Sequence, residues 1–161
     1  MIDEPHCFGV DPGASFGVAA VHAGELWYVD QGEPTACFER LDDVVRRLVE
    51  LEADVVIGCE RFVNLGGGPR HRRTAQHDAE RGVALLLDLG RRLGVPVDLQ
   101  APVDAKRLAP NVRLRALGLY VTPSDVNAPD ANDANDAVRH ALLAMARRRA
   151  LAFERLLSSR P

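Results

Sequence analysis

The stretch Phe8-Gly-Val-Asp-Pro-Gly-Ala-Ser-Phe-Gly-Val-Ala-Ala-Val21 constrains the fold more than any other part of the chain. An apolar run reaches Asp11, a Pro-Gly turn follows, and a second apolar run leaves. That pattern predicts two strands folded back as a hairpin. Pro12 fixes φ and Gly13 admits a positive φ, so the chain can reverse directly after the carboxylate. Asp11 then ends a buried strand, where a charge is costly unless it is solvated, paired or metal-bound. Two roles fit it: a turn residue capping its own backbone, or a metal ligand.

Further along, Glu25–Asp30 reads as a third strand after the Ala23-Gly24 turn, which makes an antiparallel meander. Pro34 to Cys37 reads as a loop. From Phe38 to Leu51 the apolar residues Leu41, Val44, Val45, Leu48 and Leu51 keep helical spacing. Asp54-Val-Val-Ile-Gly-Cys59 is a short apolar run of the kind that forms a central strand covered on both faces. It ends in Glu60, a second strand closing on a carboxylate.

Arg61 to Thr74 holds three glycines, a proline, four arginines and a histidine, and predicts a mobile basic loop beside Glu60. Arg61, Arg70, Arg72 and Arg73 in such a loop suit contact with DNA phosphates. Phe62 either stacks on bases or is buried in the core. Residues 75–93 predict a long helix whose Leu85, Leu86, Leu87 and Leu89 cover more than one face, as in a helix between layers or at a subunit interface. Val95–Leu99 reads as a strand that Pro96 confines to an edge. Residues 102–117 read as short helical turns carrying Lys106, Arg107, Arg113 and Arg115, and Thr122–Pro129 as a polar loop. A helix from Ala131 to Met145 follows. Its Asp133 and Asp136, three apart, share a face near the N-terminus, where the helix dipole favours negative charge. Capping is the competing explanation for either acid. His140, one turn after Asp136, reads as a supporting or packing residue rather than a ligand, and His71 and His77 as surface residues.

The 161 residues, 47% of them hydrophobic, suit one domain over 1–161, with a core at about 7–145 and a basic tail at 146–161. Met1-Ile-Asp-Glu-Pro lacks the basic start and apolar region of a signal peptide, and no apolar run reaches the roughly 20 residues that span a bilayer. Cys7, Cys37 and Cys59 follow no zinc or redox spacing. The expectation is a soluble protein of a reducing cytoplasm. Charge is asymmetric. Residues 1–58 hold 3 basic and 12 acidic side chains, and residues 59–161 hold 17 and 11. A modestly positive half around an acidic centre suits a metal-dependent enzyme of nucleic acids; ordinary surface charge with a basic helical tail is the other explanation.

Three antiparallel strands, a helix, a strand, a helix, a strand and a final helix form the order of an RNase H-like α/β fold: a five-stranded mixed sheet, three strands antiparallel and then two parallel, flanked by helices. The sequence resembles the RuvC family of Holliday junction resolvases, including its small phage relatives. GVDPG matches the family's first strand, VVIGCE the strand ending in its second acid, AERGVA at Ala79–Ala84 the motif on the following helix, and DANDAVRHAL the helix carrying the last two acids. The resemblance covers roughly residues 7–145. It implies a catalytic set of Asp11, Glu60, Asp133 and Asp136, with Lys106 where the family has a basic residue, in a bacterial or phage protein. The Gly66–Pro69 segment and the placing of the aromatic after Glu60 depart from the cellular enzymes.

Carboxylate oxygens suit Mg²⁺, or Mn²⁺ in its place, rather than zinc. Four acids can hold two ions about 4 Å apart astride a phosphodiester, with Asp11 bridging them. In-line attack by water would leave a 5′-phosphate and a 3′-hydroxyl, as in the family, with Lys106 stabilising charge on the phosphate. Two symmetric cuts in a four-way DNA junction imply a twofold homodimer, for which the helix at 83–93 is the candidate interface. A nuclease for flaps, other branched DNA or RNA, and a junction-binding protein without activity, remain the alternatives. Sugar-kinase and actin-like relatives need a second phosphate loop and an adenosine site that this chain lacks.

Overall fold

A computed structural model describes residues 4–62 and 70–148, at 70–73 for the backbone alone. Strands β1 (His6–Asp11), β2 (Phe16–His22) and β3 (Glu25–Gly32) lead to helix α1 (Pro34–Glu50), strand β4 (Val55–Glu60), helix α2 (Arg70–Leu93) and strand β5 (Val97–Gln100). Four helices follow among the described residues: α3 (Pro102–Leu108), α4 (Asn111–Ala116), α5 (Pro123–Val126) and α6 (Asn132–Arg147). The sheet order is β3-β2-β1-β4-β5. The hairpin strands pair antiparallel, whereas β1 with β4 and β4 with β5 pair parallel. This is the mixed five-stranded sheet that the apolar runs predict.

Alternation along the strands splits the core in two. On one face Cys7, Ala19, Val21 and Val56 pack against Ala134, Val138, Leu142 and Met145 of α6. On the other, Phe8, Val10, Val18 and Ile57 meet Leu41 and Val45 of α1 and Leu86 and Leu89 of α2. Helix α6 lies almost on the backbone of the sheet: a Cβ at Gly9 would sit 1.8 Å from the Ala137 carbonyl oxygen. Gly9 pairs in register with Gly58, so the strip under the helix has no side chains in two adjacent strands. On the opposite face Gly82 of α2 presses on Pro12 and Phe16, where a Cβ would stand 2.6 Å from the Pro12 ring. The AERGVA segment thus supports the turn after Asp11.

Several boundaries differ from expectation. Helix α1 begins at Pro34, not Phe38, because the Glu33 carboxylate accepts hydrogen bonds from Thr35 N at 3.0 Å and Ala36 N at 2.8 Å, and Pro34 occupies the first helical position. Cys37, placed in a loop by that reading, is buried in the helix. Helix α2 begins at Arg70, five residues before the expected start, so Arg70, Arg72 and Arg73 stand on a helix rather than in a loop. Within the expected polar loop, Thr122 and Asp125 form a capping box that starts α5. Strand β5 begins two residues later than expected and ends one residue later, on Gln100, and β3 extends to Gly32. Among the described residues no helix is long and apolar enough to cross a membrane.

Candidate metal centre

Asp11 and Glu60 close two neighbouring parallel strands, and α6 brings Asp136 over their ends. One carboxylate oxygen from each lies within 4.8 Å of the others. Burial, then the nearby Glu60, Asp133 and Asp136, push the Asp11 carboxyl up to about 8, against an opposing pull from Lys106. A carboxylate capping its own turn would be held down by N–H donors instead, so this environment is not that of a turn cap. Three acids crowded in a half-buried space repel one another, and their oxygens are the hard donors that a divalent cation such as Mg²⁺ takes. The residues present fit such an ion.

Asp133 stands outside the group of three. Burial raises its pKa, a hydrogen bond with Ser15 opposes this, and Asp130, Asp136 and Glu60 add to the rise. Neither Asp133 nor Asp136 caps the helix. Asp130 accepts from Asn132 N at 3.0 Å, and Gln31 of β3 reaches across to accept from Ala134 N at 2.9 Å.

Asp136 is held by cations on both oxygens. Lys106 Nζ lies 3.3 Å from Oδ2, and Arg139 Nη1 donates to Oδ1. Arg139 is buried, with Nε donating to the Ala109 carbonyl at 2.9 Å and Nη2 to Asn111 Oδ1. His140, fully buried, places Nε2 3.2 Å from Glu60 Oε2 and Nδ1 2.8 Å from Gln100 Oε1. Sequence reasoning missed Arg139, Asn111 and Gln100. The available signal was Arg139-His140 in the middle of a helix whose neighbours Ala137, Val138, Ala141 and Leu142 are all apolar.

The other candidates are placed as follows. Arg61 and Arg107 are exposed, and Phe62 is half-buried directly after β4. His77 is exposed on α2, whereas the side chains of Arg70, His71, Arg72 and Arg73, and the whole Gly66–Pro69 segment, lie outside the described residues. A polar cavity of about 320 Å³ opens beside Asp136, lined by Lys106, Asn111, Tyr120, Asn132 and Arg139 among others. A larger one, about 590 Å³, runs between β3 and Leu117–Val121 and contains none of the candidate residues.

Two solved structures of Thermus thermophilus RuvC are similar to this chain in fold. One, RuvC in complex with a Holliday junction substrate, has a TM-score of 0.55 and 20% identity over 88% of this chain and 94% of that one. The fold is that of RuvC. A second RuvC structure gives a TM-score of 0.55 and 17% identity over 89% and 96%. No protein-family model and no curated protein matches the sequence. The expected RNase H-like α/β class is therefore present, and the likeness in fold covers 88% of this chain.

Proposed function

We propose that this chain is a metal-dependent endonuclease that resolves four-way DNA junctions. The observation that carries the proposal is the convergence of Asp11, Glu60 and Asp136 within 4.8 Å, in a fold shared with a protein solved on a Holliday junction. Asp11, Glu60 and Asp136 would hold Mg²⁺ or Mn²⁺, and Asp133 would complete the acid set for a second ion. The metal supplies Lewis acidity for phosphodiester hydrolysis.

The chain's own groups do the rest. Lys106, with an exposed amine beside Asp136, stabilises negative charge on a phosphate drawn to the acids. Arg139 and His140 keep two of the carboxylates in place. Arg61, Phe62 and Arg107, with Arg70, Arg72 and Arg73 on the start of α2, are the proposed DNA contacts. Paired symmetric nicks giving 5′-phosphate and 3′-hydroxyl ends require a twofold homodimer. Leu86 and Leu89 of α2 are spent on the core, and exposed Leu85 and Leu87 remain for that interface. The proposed setting is a bacterial cytoplasm, with the protein a bacterium's own or a phage's.

A panel of end-labelled four-way junction, flap, linear duplex and RNA hybrid substrates, with Mg²⁺ and with Mn²⁺, tests the reading. Paired nicks in the junction alone are expected. Equal cutting of flaps or RNA would make the protein a broader nuclease, and tight junction binding without cutting in either metal would leave only a binding protein.

A further inference from the structure

We infer that Arg139 is a positioning residue for Asp136, locking its carboxylate in the orientation that a divalent cation requires. The inference rests on the metal-site reading above. Arg139 is 7% exposed, so its guanidinium has to find partners within the protein. It finds three. Nη1 holds Asp136 Oδ1, Nη2 holds Asn111 Oδ1, and Nε donates to the Ala109 carbonyl at 2.9 Å. The last two belong to the junction between α3 and α4, the segment that directly follows the helix bearing Lys106. A planar guanidinium fixes the relative angles of its donors. One buried fork therefore sets the Asp136 rotamer and clamps to it the end of the element that brings Lys106 to Asp136 Oδ2, 3.3 Å away. Both the ligand and the substrate-facing cation are registered to a single side chain three residues along α6.

Charge and geometry predict opposite results here, which makes the role testable. A cation beside a metal site repels the metal, so if Arg139 acted by charge alone its removal would tighten binding. If it acts by orientation, its removal loosens binding. Mn²⁺ titration of the full chain, followed by electron paramagnetic resonance, reads this without any substrate. For Arg139→Gln the expected result is Mn²⁺ binding weakened about 10- to 100-fold, the range typical of residues that orient metal ligands. Arg139→Lys keeps the charge but cannot span all three partners, and is expected to stay at least about fivefold weaker than wild type. Asn111→Ala removes one prong at an exposed position, so folding is preserved if the Arg139 variants unfold; a weakening of about threefold is expected. Single-turnover cleavage should follow the same order with junction affinity unchanged. Unchanged or tighter Mn²⁺ binding in Arg139→Gln, full rescue by lysine, or no change in Asn111→Ala where the Arg139 variants unfold would overturn the inference. A wild-type chain that binds no Mn²⁺ would overturn the metal site itself, and this inference with it.

Discussion

His140 Nδ1 lies 2.8 Å from Gln100 Oε1, and this contact aims the imidazole at Glu60. Gln100 Nε2 donates to Asp98 Oδ2 at 3.0 Å, which turns the amide oxygen toward the ring and makes Nδ1 the donor. Nε2, 3.2 Å from Glu60 Oε2, then holds that oxygen through a proton shared between the ring and the carboxyl group. Strand β5 thereby fixes a carboxylate on β4 through a helix that follows both in sequence. His140→Leu is expected to slow junction cleavage about 10- to 100-fold while leaving gel-shift affinity within about twofold. It should also cost about 1–3 kcal/mol of stability, because buried Gln100 loses its partner. An unchanged single-turnover rate would contradict the role.

The raised Asp11 pKa has a consequence for stability. In the metal-free folded protein Asp11 holds its proton up to about pH 8, whereas the unfolded chain releases it near the ordinary carboxylate value of 3.8. Folding thus binds a proton between these values. The Asp11 contribution to stability is full below about pH 4 and is lost as pH rises toward 8, by up to about 1.4 kcal/mol per pH unit. Asp11→Asn should flatten this dependence and exceed wild type in stability at pH 8 in EDTA. Mg²⁺ should then stabilise wild type and not the variant. Urea unfolding at pH 5 and pH 8 checks it, and parallel pH profiles for the two proteins would be the contrary result.

Asp11 and Glu60 were legible in the sequence because each follows a run of apolar residues that can only be a buried strand, and a carboxylate there asks for an explanation. Asp136 was legible as one of a pair, but spacing alone could not say that it, and not Asp133, joins the group of three. Distance along the chain hid the rest. Arg139 meets Ala109 and Asn111 across 30 and 28 residues, and His140 meets Gln100 across 40. Local patterns do not carry such pairings. Glu33 was missed for another reason: glutamate is an uncommon N-cap, so the Pro34 that opens α1 looked like a loop residue. Similarly, the glycine-rich composition before Arg70 masks a helix start, so sequence pattern alone puts the basic side chains on a loop.

Close contact between α6 and the sheet makes Gly9 a point of failure. Neither the Ala137 carbonyl nor the Ala141 amide beneath which it lies can move without shifting the helix. Gly9→Ala is expected to destabilise the fold by about 3 kcal/mol or more and to separate Asp136 from Asp11. Chemical denaturation measures the first effect, and loss of Mn²⁺ binding in the folded fraction measures the second.

Lys106 should behave in the opposite way. Its side chain is 58% exposed, so Lys106→Ala is expected to change stability by less than about 0.5 kcal/mol. Cleavage should nonetheless fall about 100-fold, with a smaller loss in junction affinity. A stability loss that accounts for the whole drop in activity would assign Lys106 to structure alone.

The central claim, that the acids at the ends of β1 and β4 and on α6 form a metal-dependent junction nuclease, is tested most directly by one comparison. Wild type and Asp11→Asn are incubated with an end-labelled four-way junction in Mg²⁺ and in EDTA. Paired nicks by wild type in Mg²⁺ alone, with none from the variant although it binds the junction, are the predicted result. Cleavage that survives EDTA or the loss of Asp11 would contradict the claim.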